Sequence, residues 1–413
     1  MTEVFRPVDR CRSCGAAELR PVIDLGAQPL ANALRAPADE SPEVHIPLAV
    51  VFCPACSLAQ LSVTVDPSVM FDSYHYFSSY STTMVADMKA LAGRLTDTLG
   101  LDGSSLVTEV ASNDGYLLRH YIDLGVPVLG IDPAANVAAV AVERGVPTLV
   151  EYFGAATAAA IVADHGLSAV LHANNVMAHV PDINDFVAGI AIALADDGVA
   201  VIETPYLIDL MASVEFDTIY HEHVFYYSLT AVDALMRRHG LVVADVEHLP
   251  IHGGSLRLFV RPEGAAITPV VGEMLEREAT LGVARPAYYE GFARRVEELK
   301  TRTVELVRQM HADGSRLAAY GAAAKGAVLL NHFGIDHTLI DFVVDRNDHK
   351  HGLLMPGVGV PISGPERLLT DRPDAVLMLA WNFAAEIIDQ QAEYLAAGGA
   401  FIVPIPELEV VRR

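Results

Sequence analysis

The sequence predicts an α/β protein: a central Rossmann-like domain, a second Rossmann-like domain at the C-terminus, and a small cysteine-organised domain ahead of both. Three observations carry that reading. Strands and helices alternate from about residue 105 to 206, the alternation begins again near residue 316, and all four cysteines fall within the first 56 residues. At 413 residues the chain exceeds what one hydrophobic core usually supports. We place the three domains at residues 1–68, 69–300 and 301–413.

The composition, 52% hydrophobic and 19% charged, suits a packed globular chain. Mean hydropathy is +0.32, yet no apolar run approaches the eighteen or so residues of a membrane span. The longest candidate, FVAGIAIALA from Phe186, meets DDG at once and reads as a buried helix. MTEVFRPVDR lacks the apolar core of a secretory signal, so a soluble cytoplasmic protein is expected. A net charge of −24 repels nucleic acid and anionic membranes. That makes a zinc-ribbon nucleic-acid binder a poor reading, while one lysine and a helix N-terminus can still hold a small anion.

In the N-terminal domain, CRSC contains Cys11 and Cys14, and CPAC contains Cys53 and Cys56, among short extended pieces rich in proline. Thiolates on either side of a two-residue turn can share one tetrahedral zinc, and two such turns complete its four ligands. Redox CxxC motifs normally occur once, and disulfides are rare in the cytosol. A structural zinc site closed to chemistry is expected. The aromatic cluster Phe71, Tyr74, Tyr76, Phe77 and Tyr80 then leads into an amphipathic helix, reading as a lid or linker.

SLVTEVASNDGYLLRHY, PVLGIDPAANVAAVAVERG, SAVLHANNVMAHVPD and GVAVIETPYL supply the central strands, each followed by a turn, loop or helix. Such alternation argues for a doubly wound parallel sheet with ligands at the carboxyl ends of its strands. The turn Glu109–Gly115 ends the first strand, and Asp132 ends the second, 23 residues after Glu109. That spacing offers a carboxylate to a ribose diol. Dinucleotide enzymes need a three-glycine turn there; this one holds Ser112, Asn113 and Asp114 before Gly115. Such side chains suit a zwitterionic amino-acid tail and oppose a diphosphate, which favours S-adenosylmethionine over a nicotinamide cofactor. HANNVMAHV, with Asn174 and Asn175, fits the fourth-strand end that lines a methyl donor.

Beyond the last central strand, TIYHEHVFYYS sets Tyr220, His221, Glu222 and His223 side by side. If extended, the segment puts Tyr220 and Glu222 on one face and the two histidines on the other. His221 reads as a satisfied polar residue, and Phe225, Tyr226 and Tyr227 as core. His179 is a candidate acid or enolate donor. In the C-terminal domain, RLAAYGAAAKGAVLLNHFG and IDFVVDRN restart the pattern, and PDAVLMLAWNFAAEI mirrors LSAVLHANNVMAHV, with Asn382 against Asn175. YGAAAKG sets Lys325 at a helix start, suited to the diphosphate of a nucleotide sugar, and lacks the hydroxyl residue a P-loop uses for magnesium.

With the cysteine pairs, EVASNDG, HANNVMAHV, YHEHVFYYS and YGAAAKG in this order, nearly the whole chain resembles the three-domain sugar 3-C-methyltransferases that act on dTDP-4-keto-deoxysugars in antibiotic pathways. The resemblance implies a structural zinc, S-adenosylmethionine as donor held by Glu109, Ser112, Asn113, Gly115, Asp132 and Asn174, and a nucleotide sugar between the central and C-terminal domains. It implies His223 as base, with Tyr220 and Glu222 as partners, and Tyr74 or neighbouring Tyr76 facing substrate. A 4-keto sugar makes its C3 proton acidic, so the chemistry needs a base near neutral pH and a donor to the enolate oxygen. A neutral histidine suits the first role, a tyrosine hydroxyl the second, and a carboxylate can fix the histidine tautomer. An O- or N-methyltransferase would need no such set.

Overall fold

The structure is a computed structural model; it describes residues 4–66, 70, 78–80, 82–250 and 253–412. Tyr74 and Tyr76 lie outside the described residues.

In the N-terminal part, β1 (Phe5–Pro7) pairs with β5 (Val63–Val65), and β2 (Arg20–Pro29), β3 (His45–Phe52) and β4 (Ala59–Leu61) form an antiparallel meander. That sheet gains its edge from far along the chain: β11 (Phe225–Tyr226) pairs with β4, setting Phe225 opposite Gln60 and Tyr226 opposite Ala59. Residues just after YHEH therefore belong to the sheet of the cysteine domain.

The central sheet contains β6 (Val107–Val110), β7 (Val128–Ile131), β8 (Thr148–Leu149), β9 (Ser168–Asn174) and β10 (Leu194–Pro205), all parallel, in the spatial order β10-β9-β6-β7-β8. Antiparallel β13 (Ser255–Pro262) and β12 (Leu241–Leu249) extend it beyond β10. The near-continuous burial of β6, β7 and β9 is what a parallel sheet covered on both faces demands. The order reverses between β6 and β9, so the ligand crevice of an open sheet opens at their carboxyl ends. FVAGIAIALA is mostly the buried helix Ile183–Ala193, as expected.

Helices Pro269–Leu281, Pro286–Tyr289 and Phe292–Ala312 lead to the last sheet. There β14 (Leu317–Tyr320), β15 (Val343–Val344), β16 (Ile362–Ser363), β17 (Ala375–Met378) and β18 (Ala400–Val403) are parallel in the order β16-β15-β14-β17-β18, with antiparallel β19 (Glu409–Val411) outside. The two sheets repeat one topology, and the copies agree in detail. Asp132 accepts from the Asn113 and Ala134 amides at 2.9 Å each, and Asp345 accepts from the Ala322 amide at 2.7 Å and the Asn347 amide at 2.8 Å. Among the described residues no helix is long and apolar enough to cross a membrane.

Candidate active site

The turn after β6 is built from an unusual backbone. Ala111, Asn113 and Gly115 have φ of 54°, 51° and 76°, a left-handed conformation that only glycine adopts without cost. At Gly115 a side chain is excluded twice, because a Cβ would also stand 2.7 Å from Val146 Cγ2. The turn faces inward with polar groups. Glu109 is fully buried, with the Asn174 side chain beside it favouring its charged form; its carboxylate oxygens, Ser112 Oγ, Asp114 Oδ1 and Asn174 Oδ1 complete no well-formed hydrogen bond among the described residues. Burial, reinforced by the Asp132 charge, pushes the Glu109 carboxyl well above the usual carboxylate range. Buried polar atoms are nearly always satisfied in a finished structure. Four residues gathered at the carboxyl ends of neighbouring strands with unmatched atoms mark a place built for a polar ligand.

The other half of the site is the Tyr220–His223 turn. The segment is not extended: the His223 amide donates to the Tyr220 carbonyl at 2.9 Å, closing a turn with His221 and Glu222 at its middle. The expected alternation of faces is therefore wrong, because a turn brings residues three apart together where a strand would separate them. Tyr220 and His223 stack with ring centroids 4.0 Å apart, and the Tyr220 hydroxyl lies 2.7 Å from His223 Nε2. His223 Nδ1 lies 2.9 Å from the Thr218 carbonyl oxygen. A carbonyl only accepts, so Nδ1 bears the hydrogen and Nε2 is the lone-pair end that receives the tyrosine hydroxyl. The His179 ring stands edge-on to His223 at 4.9 Å between centroids. Desolvation keeps the His179 ring neutral, with its pKa depressed to about 4.

Glu222 does not reach His223 Nδ1, which Thr218 occupies. It accepts instead from Asn32 Nδ2 at 2.6 Å, and burial pushes its carboxyl up to about 7 against the opposing effect of that bond. His221 Nε2 donates to the Ile46 carbonyl of β3 at 3.2 Å, while its Nδ1 completes no hydrogen bond among the described residues, so the ring is satisfied on one side only. With Leu61 N–H donating to the Val224 carbonyl at 2.9 Å, the cysteine domain forms the floor beneath this turn.

The four cysteine sulfurs lie within 4.8 Å of one another, with Cys11 and Cys56 Sγ 3.5 Å apart and Cys14 and Cys53 Sγ 3.6 Å apart. Zinc–sulfur bonds near 2.3 Å in a tetrahedron require S···S separations of about 3.8 Å. All-thiolate chemistry at that spacing fits zinc, and four protein ligands make the site structural.

Three family models match in chain order. A zinc binding domain covers residues 11–71, a methyltransferase domain 84–246, and a C-methyltransferase C-terminal domain 250–406. The C-methyltransferase NovU of Streptomyces niveus is 40% identical over 414 residues, spanning 100% of this chain and 99% of that protein. This chain belongs to the three-domain sugar C-methyltransferase family. It is an S-adenosylmethionine-dependent enzyme that methylates carbon, with zinc in its N-terminal domain.

Among solved structures, magnesium protoporphyrin IX methyltransferase of Synechocystis PCC 6803 with bound SAM is 12% identical over 43% of this chain and 79% of that one, at a TM-score of 0.33. A protein of Pyrococcus horikoshii OT3 is 14% identical over 48% of this chain and 98% of that one, at 0.37. Neither likeness bears on the assignment.

The chain's own residues fit the donor. Asp132, which follows β7 and accepts from the Asn113 and Ala134 amides, would offer its remaining lone pairs to a ribose diol, and the unmatched oxygens of Glu109, Ser112, Asp114 and Asn174 would accept from the ammonium of the amino-acid end. Lys325 differs from expectation. Its ammonium does not stand free at the start of helix Ala324–Phe333 but is enclosed, 4.5 Å from the Trp381 ring centroid, where burial lowers its pKa against the pull of Asp217 and Glu215. Two carboxylates share that corner with Lys325, whose Nζ completes no hydrogen bond among the described residues.

Sequence reading missed Thr218 and Asn32, whose roles depend on contacts a local pattern does not carry. It also missed Ser78 and Ser79 at the end of the lid-like segment. The Ser78 amide donates to Asn113 Oδ1 at 2.9 Å and the Ser79 hydroxyl to Asp114, which Arg144 also pairs at 2.7 Å. The serine pair between Phe77 and Tyr80 was the available signal.

Proposed function

We propose that this enzyme methylates C3 of a dTDP-linked 4-keto-deoxysugar, with His223 as the base. The observation that carries the reading is the His223 tautomer: Nδ1–H is engaged by Thr218, which leaves the Nε2 lone pair on the side of the Tyr220 hydroxyl. Nε2 takes the C3 proton and becomes an imidazolium; the C3–H bonding pair passes into the enolate, with negative charge on the C4 oxygen. The Tyr220 hydroxyl, released from Nε2 by the substrate, donates to that oxygen. His179, neutral and edge-on to His223, adds a second donor to it. Glu222, tied to Asn32, holds the turn in shape. S-adenosylmethionine would supply an electrophilic methyl group: the C3–CH3 bond forms as the S–CH3 bond breaks with inversion at the methyl carbon, its electron pair returning to the sulfur of the departing S-adenosylhomocysteine. The nucleotide lies toward the C-terminal domain.

The experiment is mass spectrometry of a dTDP-4-keto-6-deoxysugar incubated with the enzyme in deuterated water, with and without S-adenosylmethionine. Gain of one methyl with loss of the C3 hydrogen is expected. A methyl gain with C3–H retained would mean O- or N-methylation, and no change with any such sugar would exclude this substrate class.

A further inference from the structure

We propose that Asp217 and Trp381 are positioning residues that set the tautomer of His223 across the domain boundary; this rests on His223 being the base. The Thr218 carbonyl that receives Nδ1–H is at the end of the short 3-10 turn Phe216–Thr218. Its place in space depends on what holds that turn. Inside the turn, the Thr218 hydroxyl donates to the Glu215 carbonyl at 2.7 Å and the Ile219 amide to the Phe216 carbonyl at 3.0 Å.

From outside, the C-terminal domain reaches in. The Trp381 indole N–H donates to Asp217 Oδ2 at 2.7 Å, over 164 residues of sequence, and Asp217 is completely buried. The Lys325 ammonium rests on the face of the same indole, so the ring is gripped at edge and face. Phe216 also stacks on Phe333 with centroids 5.2 Å apart and planes at 19°. A buried charge-assisted bond fixes direction as well as distance, whereas a ring stack has no donor or acceptor axis to orient the backbone beside it. The directional element is thus Trp381–Asp217, one residue from the carbonyl that selects which histidine nitrogen carries the proton. If that carbonyl moves away, Nδ1 loses the acceptor that favours the productive tautomer, and a share of His223 carries its hydrogen on Nε2, where it cannot act as base.

The test is ¹⁵N NMR of the full-length zinc-loaded protein labelled at histidine, with the His223 signals assigned by their loss in His223→Asn. Wild type should show an Nδ1–H, Nε2-unprotonated imidazole. Trp381→Phe keeps an aromatic ring without the N–H, and Asp217→Ala removes the acceptor while leaving the ring; each should give mixed tautomers. Each should also lower kcat by about 10-fold or more with KM for sugar and donor nearly unchanged. Asp217→Asn retains an acceptor oxygen and should restore both the tautomer and kcat to near wild type. If Trp381→Phe fails to fold, the contrast between Asp217→Ala and Asp217→Asn decides. A pure Nδ1–H signal in Trp381→Phe or Asp217→Ala overturns the proposal and assigns the turn's placement to the Phe216–Phe333 stack. The spectra are read without substrate, so an active His223→Asn enzyme would remove the base reading while leaving the tautomer result to stand or fall alone.

Discussion

The Tyr220 hydroxyl lies 2.7 Å from His223 Nε2, and the Thr218 carbonyl 2.9 Å from Nδ1. Both ring nitrogens are thus assigned before any substrate arrives: one holds a hydrogen and the other a lone pair. In the proposed role of base, His223 needs no reorganisation except the departure of one hydroxyl.

His223→Asn should lower turnover by roughly 10²–10⁴-fold, the usual contribution of a positioned general base. Binding of S-adenosylhomocysteine, measured by calorimetry, should be unchanged. Near-normal turnover would take His223 out of that role.

Tyr220→Phe should keep the ring stack and lose the donor to the enolate oxygen, reducing kcat by about 10²–10³-fold. Exchange of the C3 proton with solvent separates the steps. A variant that still exchanges but methylates slowly would show that the hydroxyl acts after proton removal.

Glu222 makes a pH prediction. Burial lifts its carboxyl from 4.5 to about 7, so the folded protein keeps a proton that the unfolded chain releases. Its contribution to stability is fully present below about pH 4.5 and is lost as pH rises through 7. Relative to Glu222→Gln, wild type should lose roughly 3 kcal/mol across that window. Denaturant unfolding at several pH values measures it, and a difference independent of pH would show that the carboxyl is not perturbed.

Gly115→Ala should destabilise the fold by about 1–3 kcal/mol, through a positive φ and a contact with Val146 Cγ2 at 2.7 Å. It should weaken S-adenosylhomocysteine binding as well. Adding Val146→Ala removes the 2.7 Å contact and leaves Val146 Cβ at 3.1 Å, so thermal melts of the double variant against Val146→Ala alone, which carries the cost of truncating a buried valine, give the backbone part. Full recovery in the double variant would mean that the left-handed backbone contributes nothing.

Zinc should be present at one ion per chain, and Cys53→Ser should lose it together with both stability and turnover. The coupling follows from β4, which lies a few residues beyond Cys56 and pairs with β11 directly after His223. Elemental analysis beside an activity assay tests this. A metal-free protein with unchanged melting and turnover would make the zinc dispensable.

Much of this protein was legible in its local pattern. The strand–helix alternation, the Glu109-to-Asp132 spacing and the paired cysteines are periodic or short-range features, set by backbone geometry and ligand reach, so they survive without coordinates. The repeat of AVL strands foretold two sheets of one topology. The internal arrangement of the active site was not legible. Whether Tyr220 faces Glu222 or His223 depends on a turn closed by one amide, and that turn stands on β3 and β4, more than 150 residues earlier. The same holds for Lys325, enclosed by Trp381 and the acidic turn, and for Asp217, bound to a tryptophan 164 residues away. Sequence by itself determined which chemical groups are available and in which domain. Tertiary structure alone decided which of them meet, because hydrogen bonds and burial act over a few ångströms in space and take no account of separation along the chain.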